Sequence, residues 1–208
     1  MEEKRLTEKE SIEVITSMIN QTKRRLHIGD GNMFLLWGYV TLFVGLLVWA
    51  LLLITENPAV NWLWFLIWII GGCAMPKILK KNEAETKVRY YTDNLTSGIW
   101  SIAGWSAILL CAMNLAFMLF AGKDAWNTML QLALLIMGIL ENVQGVIIRE
   151  KSLVYGGWVG IFAGMVTMCC VSAGIPLYVN WYLPFFLVAY GCMTIIPGHI
   201  LNAKARKQ

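Results

Sequence analysis

Charge is what this sequence has least of. The 208 residues include 17 Lys and Arg and 13 Asp and Glu, so 14% are charged, against about 25% in a soluble domain. That deficit excludes an ordinary water-covered surface. Histidine is nearly absent: His27 and His199 stand alone, neither with a second ligand at metal or haem spacing, so no metal and no haem or other cofactor is expected. Cysteine is sparse, an odd five (Cys73, Cys111, Cys169, Cys170 and Cys192) with no CxxC, which argues against a disulfide framework. They read as small packing residues in helix interfaces. No Ser carries a His and an acid at a recognisable spacing, and no glycine-rich phosphate loop follows a strand, so no catalytic residue is assigned. An apolar leader is also missing. Residues 1–32 are polar, so the N-terminus is expected to stay cytoplasmic.

Apolar sequence is what fills the chain. Hydrophobic residues make up 58% and the mean hydropathy is +0.59. Six continuous apolar runs are readable, at 33–54, 62–79, 98–120, 127–148, 152–173 and 181–201. Each is long enough to cross a bilayer as a helix and about twice the length of a barrel strand. The expected fold is therefore an all-α membrane protein with six transmembrane helices over residues 33–201. A cytoplasmic segment at 1–32, a helical cytoplasmic connection at 77–97 and a basic tail at 202–208 complete it. Of the 17 basic residues, all but Lys123 fall in the N-terminal segment, the second and fourth connections and the tail. Basic residues mark the cytoplasmic side, so both ends are expected there, in a bacterial inner membrane.

The chain also repeats itself. Gly38, Asn61 and Gly72 recur as Gly104, Asn127 and Gly138, and again as Gly157, Asn180 and Gly191, with spacings of 23 and 34 residues each time. Each copy is one helical hairpin, and successive hairpins run in the same direction. Three of them are expected about a pseudo-threefold axis along the membrane normal. The asparagines suit capping of the returning helices. Gly156, Gly160 and Gly164 share one face of the fifth helix and suit close packing on a neighbouring helix, or on a second copy in a homo-oligomer.

Two charged stretches lie on the basic side. Residues 7–28 form an amphipathic stripe of Ile12, Ile15, Ile19 and Leu26, broken by the Gly29–Asn32 turn. Residues 77–95 carry a second stripe, Ala84, Val88, Tyr91 and Leu95. Such stripes pack on each other, lie on the inner leaflet or receive a cytoplasmic protein partner. Lys23, Arg24, Arg25, Lys80 and Lys81 are placed to meet anionic headgroups, and nothing in their pattern points to nucleic acid.

Polar residues inside apolar runs each need a reason, because lipid cannot solvate them. Glu141 is the only acidic residue in a run, with Asn142 and Gln144 beside it and Asn114 in the middle of the third run. One reading is a polar vestibule open to the cytoplasm, in which Glu141 binds a cation, a proton or a basic ligand. The other is positional: the repeat aligns Glu141 with Met75, which puts it at the inner end of its helix, within reach of Arg149 or the basic second connection. Asn114 is expected to hydrogen-bond between helices.

The pattern of Trp37-Gly38-Tyr39 through Gly45, with its copies, resembles the hairpin of the HdeD-type family of small six-span bacterial membrane proteins. The block Gly29 to Tyr39 is also similar to that of bacterial membrane proteins with no assigned activity, some encoded beside winged-helix regulators. The resemblance implies a regulatory or stress-related membrane role, and it carries no catalytic residue across. The long N-terminus and the extended second connection depart from the HdeD-type pattern. The expected function is non-enzymatic: regulatory, sensory or stress-adaptive, acting through the cytoplasmic face. The alternative is a small-solute or ion transporter built around Glu141.

Overall fold

The computed structural model describes residue 12 and residues 31–85 and 91–207, with side chains described outside 79–94. It is all-helical, with no strand among the described residues. The helices are α1 (Asn32–Thr55), α2 (Leu66–Glu85), α3 (Tyr91–Ala121), α4 (Trp126–Ile147), α5 (Lys151–Ser172) and α6 (Val179–Ala205). Six segments are long and apolar enough to cross a membrane, as in a multi-pass membrane protein. Apart from Ile12, the amphipathic stretch at 7–28 and the cluster Lys23, Arg24 and Arg25 lie outside the described residues, as do the side chains of Lys80 and Lys81.

Local chemistry fixes the helix ends. The Gly31 N–H donates to Asn202 Oδ1 (3.0 Å), and Asn202 Nδ2 donates to Asn32 Oδ1 (2.8 Å), which ties the start of α1 to the last turns of α6. Glu56 closes α1 in a left-handed conformation, and its N–H returns to the Leu52 carbonyl. Asn57 then accepts from the Ala59 N–H, and Pro58 starts a 3-10 segment, Pro58–Phe65, that leads into α2. The second apolar run is thus 3-10 at its start rather than α-helical throughout. At its far end α2 passes through Pro76 and continues to Glu85.

The helices pack in the order α3, α4, α5, α6, α1, α2, with α6 at the centre. At 27 residues α6 is about 40 Å long. It holds the largest share of the buried core, including Tyr182, Phe186, Tyr190 and Met193. Contact between α2 and α3 is not extensive among the described residues. Close approach elsewhere depends on glycine. A methyl group at Gly138 would lie 2.8 Å from the Gly157 carbonyl oxygen, and one at Gly157 would lie 2.6 Å from that of Gly138. Gly160 and Gly164 pack on α4, and Gly160 also meets the Met193 side chain. The glycine face of α5 is therefore spent within the chain rather than on a second copy.

The outer surface is as apolar as the interior. Trp105, Phe117, Phe120, Tyr155, Trp158 and Phe162 are all more than half exposed. Cys73 and Cys169 also face outward, so the reading of all five cysteines as interface packing is corrected at those two positions.

Candidate functional site

The bundle has two unlike ends. One carries the three hairpin turns before Pro58, Trp126 and Val179, and the other carries Arg149, Lys151 and Lys204. The sequence offered four polar residues as one site, and the structure separates them.

Asn114 belongs to the turn end. It is buried, and its Oδ1 accepts from the Ala125 N–H at 2.7 Å, which satisfies a backbone donor just ahead of α4. From there to Glu141 is about 24 Å along α4, so Asn114 takes no part in chemistry at Glu141. Its bond runs from a helix to a turn, not from helix to helix. It also does the work expected of the repeated asparagines. Asn127 and Asn180 stand second in α4 and α6, and neither helix has a side-chain cap; Asn61 sits within the 3-10 segment and accepts from the Trp64 indole N–H. The helices begin before those asparagines, so the side chains cannot reach back as caps. Asn114→Ala is expected to lower stability by about 1–3 kcal/mol by orphaning the Ala125 N–H, measured by unfolding in mixed micelles.

Asn142 faces α5, and its Nδ2 donates to the Val154 carbonyl at 3.1 Å. It is a packing contact beside Gly157, whose missing side chain lets Asn142 approach. Glu141 and Gln144 are three residues apart and share the opposite, buried face of α4. Glu141 is 1% exposed. Its Oε1 and the Gln144 Oε1 have no hydrogen-bond partner.

The surroundings of Glu141 come from three helices. Gly156 of α5 lies directly against it: a methyl group there would sit 2.9 Å from Glu141 Oε1, 2.7 Å from the Met193 carbonyl oxygen and 2.8 Å from Pro197 Cγ. The carboxyl, the Met193 carbonyl and the Pro197 ring therefore converge on one glycine. Tyr190 of α6, one turn before Met193, is buried as well. Arg149 does not pair with Glu141. It is exposed, in a left-handed turn, and the adjacent Glu150 pairs with Lys204 at 2.6 Å. The Arg149 half of the positional reading is therefore set aside; the side chains of Lys80, Lys81, Lys87 and Arg89 in the second connection lie outside the described residues. Glu141 lies six positions before the end of α4. Nor does it open onto a vestibule, because its side chain is covered on all sides.

Two surface pockets lie away from Glu141. One, about 420 Å³, is at the turn end and is lined by Asp124, Asn127, Thr128, Gln131 and the backbone around Gly174. The other, also about 420 Å³, lies beside Asn32, Tyr39 and Ile78. His199, solitary in the sequence, shares a 2.8 Å hydrogen bond with the Tyr39 hydroxyl. No cluster of three or more metal-binding side chains occurs among the described residues.

The part of the site that sequence reading missed is Met193 and Pro197; Gly156 was read as a packing glycine but not tied to Glu141. Proline inside the last apolar run was the available signal, since it removes the N–H that would have bonded the carbonyl four residues earlier.

The architecture defines a class, an all-helical bundle with six helices long and apolar enough to cross a membrane, and nothing narrower. Comparison with protein-family models, with curated proteins and with solved structures returned no match.

Proposed function

We propose that the chain is a non-enzymatic, multi-pass protein of a bacterial inner membrane, with a regulatory, sensory or stress-adaptive role exercised at its cytoplasmic face. The observation that carries this reading is the combination of a buried acidic group with one-sided charge. The interior polar group, Glu141, is buried, while all basic residues but Lys123 fall in segments that six crossings would put on one side. In this reading the bundle changes shape, and the charged segments at 1–32 and 77–97 are where such a change would be read. The resemblance to HdeD-type proteins is compatible with this role.

The three hairpins form, in this reading, a pseudo-threefold unit with both termini cytoplasmic. Two of its three seams are supported by the repeat glycines: Gly138 against Gly157, and Gly38 against Thr194, three residues past Gly191. At the third, Gly72 and Gly104 each face open space.

A cytoplasmic partner is expected to bind through residues 7–28. Cross-linking in native membranes, followed by mass spectrometry, compares the full chain with a 1–28 deletion. The reading predicts a stoichiometric partner present with the full chain and lost on deletion, with the bundle still inserted. A partner kept by the truncated chain, or none with either, would count against it.

A second reading, a small-solute or ion transporter, is favoured by the unpaired Glu141 oxygen, since buried ionisable groups mark ion pathways. It requires flux through proteoliposomes that falls at least tenfold in Glu141→Gln. Absence of flux for protons and monovalent cations would set it aside.

A further inference from the structure

We infer that Glu141, together with the main-chain carbonyl of Met193, forms a buried proton-binding site at a proline break in α6. The inference supplies a stimulus for the sensory reading proposed above and rests on that reading only for its consequence, since binding itself belongs to the bundle alone.

Three observations meet here. First, Glu141 is 1% exposed and its Oε1 has no hydrogen-bond partner. Second, Pro197 has no N–H, so the Met193 carbonyl lacks the helical donor it would otherwise receive. A buried carbonyl that loses this donor is open to another one. Third, both oxygens lie against the same glycine, Gly156, which leaves the space between α4 and α6 that a side chain would fill. Both oxygens are acceptors gathered at one glycine, and neither brings a hydrogen.

One proton resolves both deficits. Added to one oxygen of the Glu141 carboxylate, it neutralises the charge and creates an O–H, which donates to the Met193 carbonyl oxygen. Release returns the proton to water and leaves a carboxylate that must find a new partner or force the helices apart, because an unpaired charge in an apolar interior is strongly unfavourable. A metal cation is a poorer occupant, since it would need several more oxygen ligands than this tightly packed site offers.

No charged group among the described residues competes for the carboxylate. On α4 the polar residue on the same face is Gln144, and on α6 the polar side chain one turn before Met193 is Tyr190. On α5 the residue against the carboxyl is Gly156. Lys204 is taken by Glu150, His199 by Tyr39, and Arg149 is exposed. The site also has a mechanical connection. The proline lies in the last turns of the central helix, and Asn202, five residues on, holds the start of α1 through Gly31 and Asn32. A change at the break is therefore passed toward the N-terminal segment.

The test uses the full chain in lipid nanodiscs. Infrared difference spectra are recorded across pH, from about 6 to about 10, above the range in which ordinary carboxylates titrate. Wild type is expected to give one protonated-carboxyl band that titrates, with thermal stability falling as the band is lost. In Glu141→Gln, which keeps a donor for the Met193 carbonyl, the band is absent and that fall in stability disappears. Pro197→Ala gives the carbonyl an N–H again and should weaken proton binding about tenfold, moving the midpoint about one pH unit toward acid. A titrating band that survives in Glu141→Gln, no titrating band in wild type, or an unmoved midpoint in Pro197→Ala would each overturn the proposal. Failure here leaves partner capture through residues 7–28 untouched, and loss of that partner leaves the infrared result standing.

Discussion

Gly157→Ala is expected to destabilise the bundle by about 2–3 kcal/mol, while Gly104→Ala, its counterpart in the preceding hairpin, is neutral or mildly stabilising. The two glycines hold the same place in the sequence spacing and have opposite surroundings. A Cβ at Gly157 would lie 2.6 Å from the Gly138 carbonyl oxygen and 2.7 Å from the Asn142 backbone nitrogen. Backbone atoms cannot swing aside as a side chain can, so α4 and α5 must separate. Around Gly104 nothing lies within 4 Å, and alanine there gains only the better helix propensity, up to about 1 kcal/mol. Unfolding in mixed micelles by detergent titration measures both. Equal losses at the two positions would mean that Gly104 also sits in a seam. Equal tolerance would mean that α4 and α5 do not touch at their glycines.

Phe186→Ala is the second large effect, at about 3–5 kcal/mol. The ring is 2% exposed in the middle of α6. It meets Trp64 edge-on, with centroids 5.8 Å apart at 84°, and stacks on Tyr190 at 5.7 Å. It therefore holds the segment before α2 onto the central helix. In lipid the hydrophobic drive between helices is largely gone, so packing contacts of this kind carry more of the stability. The control is Phe162→Ala, where the ring is 69% exposed on the outer surface of α5. Its change should stay within about 0.5 kcal/mol. Similar losses at both positions would argue against the central place of α6.

The helices were legible because each apolar run is long, continuous and bounded by polar residues, a signal that needs no knowledge of neighbours. The glycine spacing was legible too, and in the structure Gly138 and Gly157 meet. What a linear reading could not supply was which partner each polar group finds. Asn114 looked like an interhelical residue because it lies deep in an apolar run, yet its partner is a backbone N–H eleven residues on, across a turn. Asn127 and Asn180 looked like caps because they stand near turns, but their helices start one residue sooner. Asn142 and Glu141 are adjacent in sequence and point to different neighbours, as consecutive helical residues must. The convergence of Glu141, Gly156 and Met193 draws on three helices; Glu141 and Gly156 each stood out in the sequence, but for separate reasons, and nothing there joined them to Met193.

Everything proposed for the cytoplasmic face depends on which side of the membrane each end occupies. The direct measurement is labelling of single cysteines by a membrane-impermeant maleimide in intact cells, in a background with the five native cysteines replaced. Lys123→Cys is expected to label from outside, whereas Glu8→Cys and Lys207→Cys label only after the cells are opened. Labelling of Glu8→Cys or Lys207→Cys in intact cells, with Lys123→Cys protected, would reverse the orientation. Labelling of only one of the two ends would contradict six crossings.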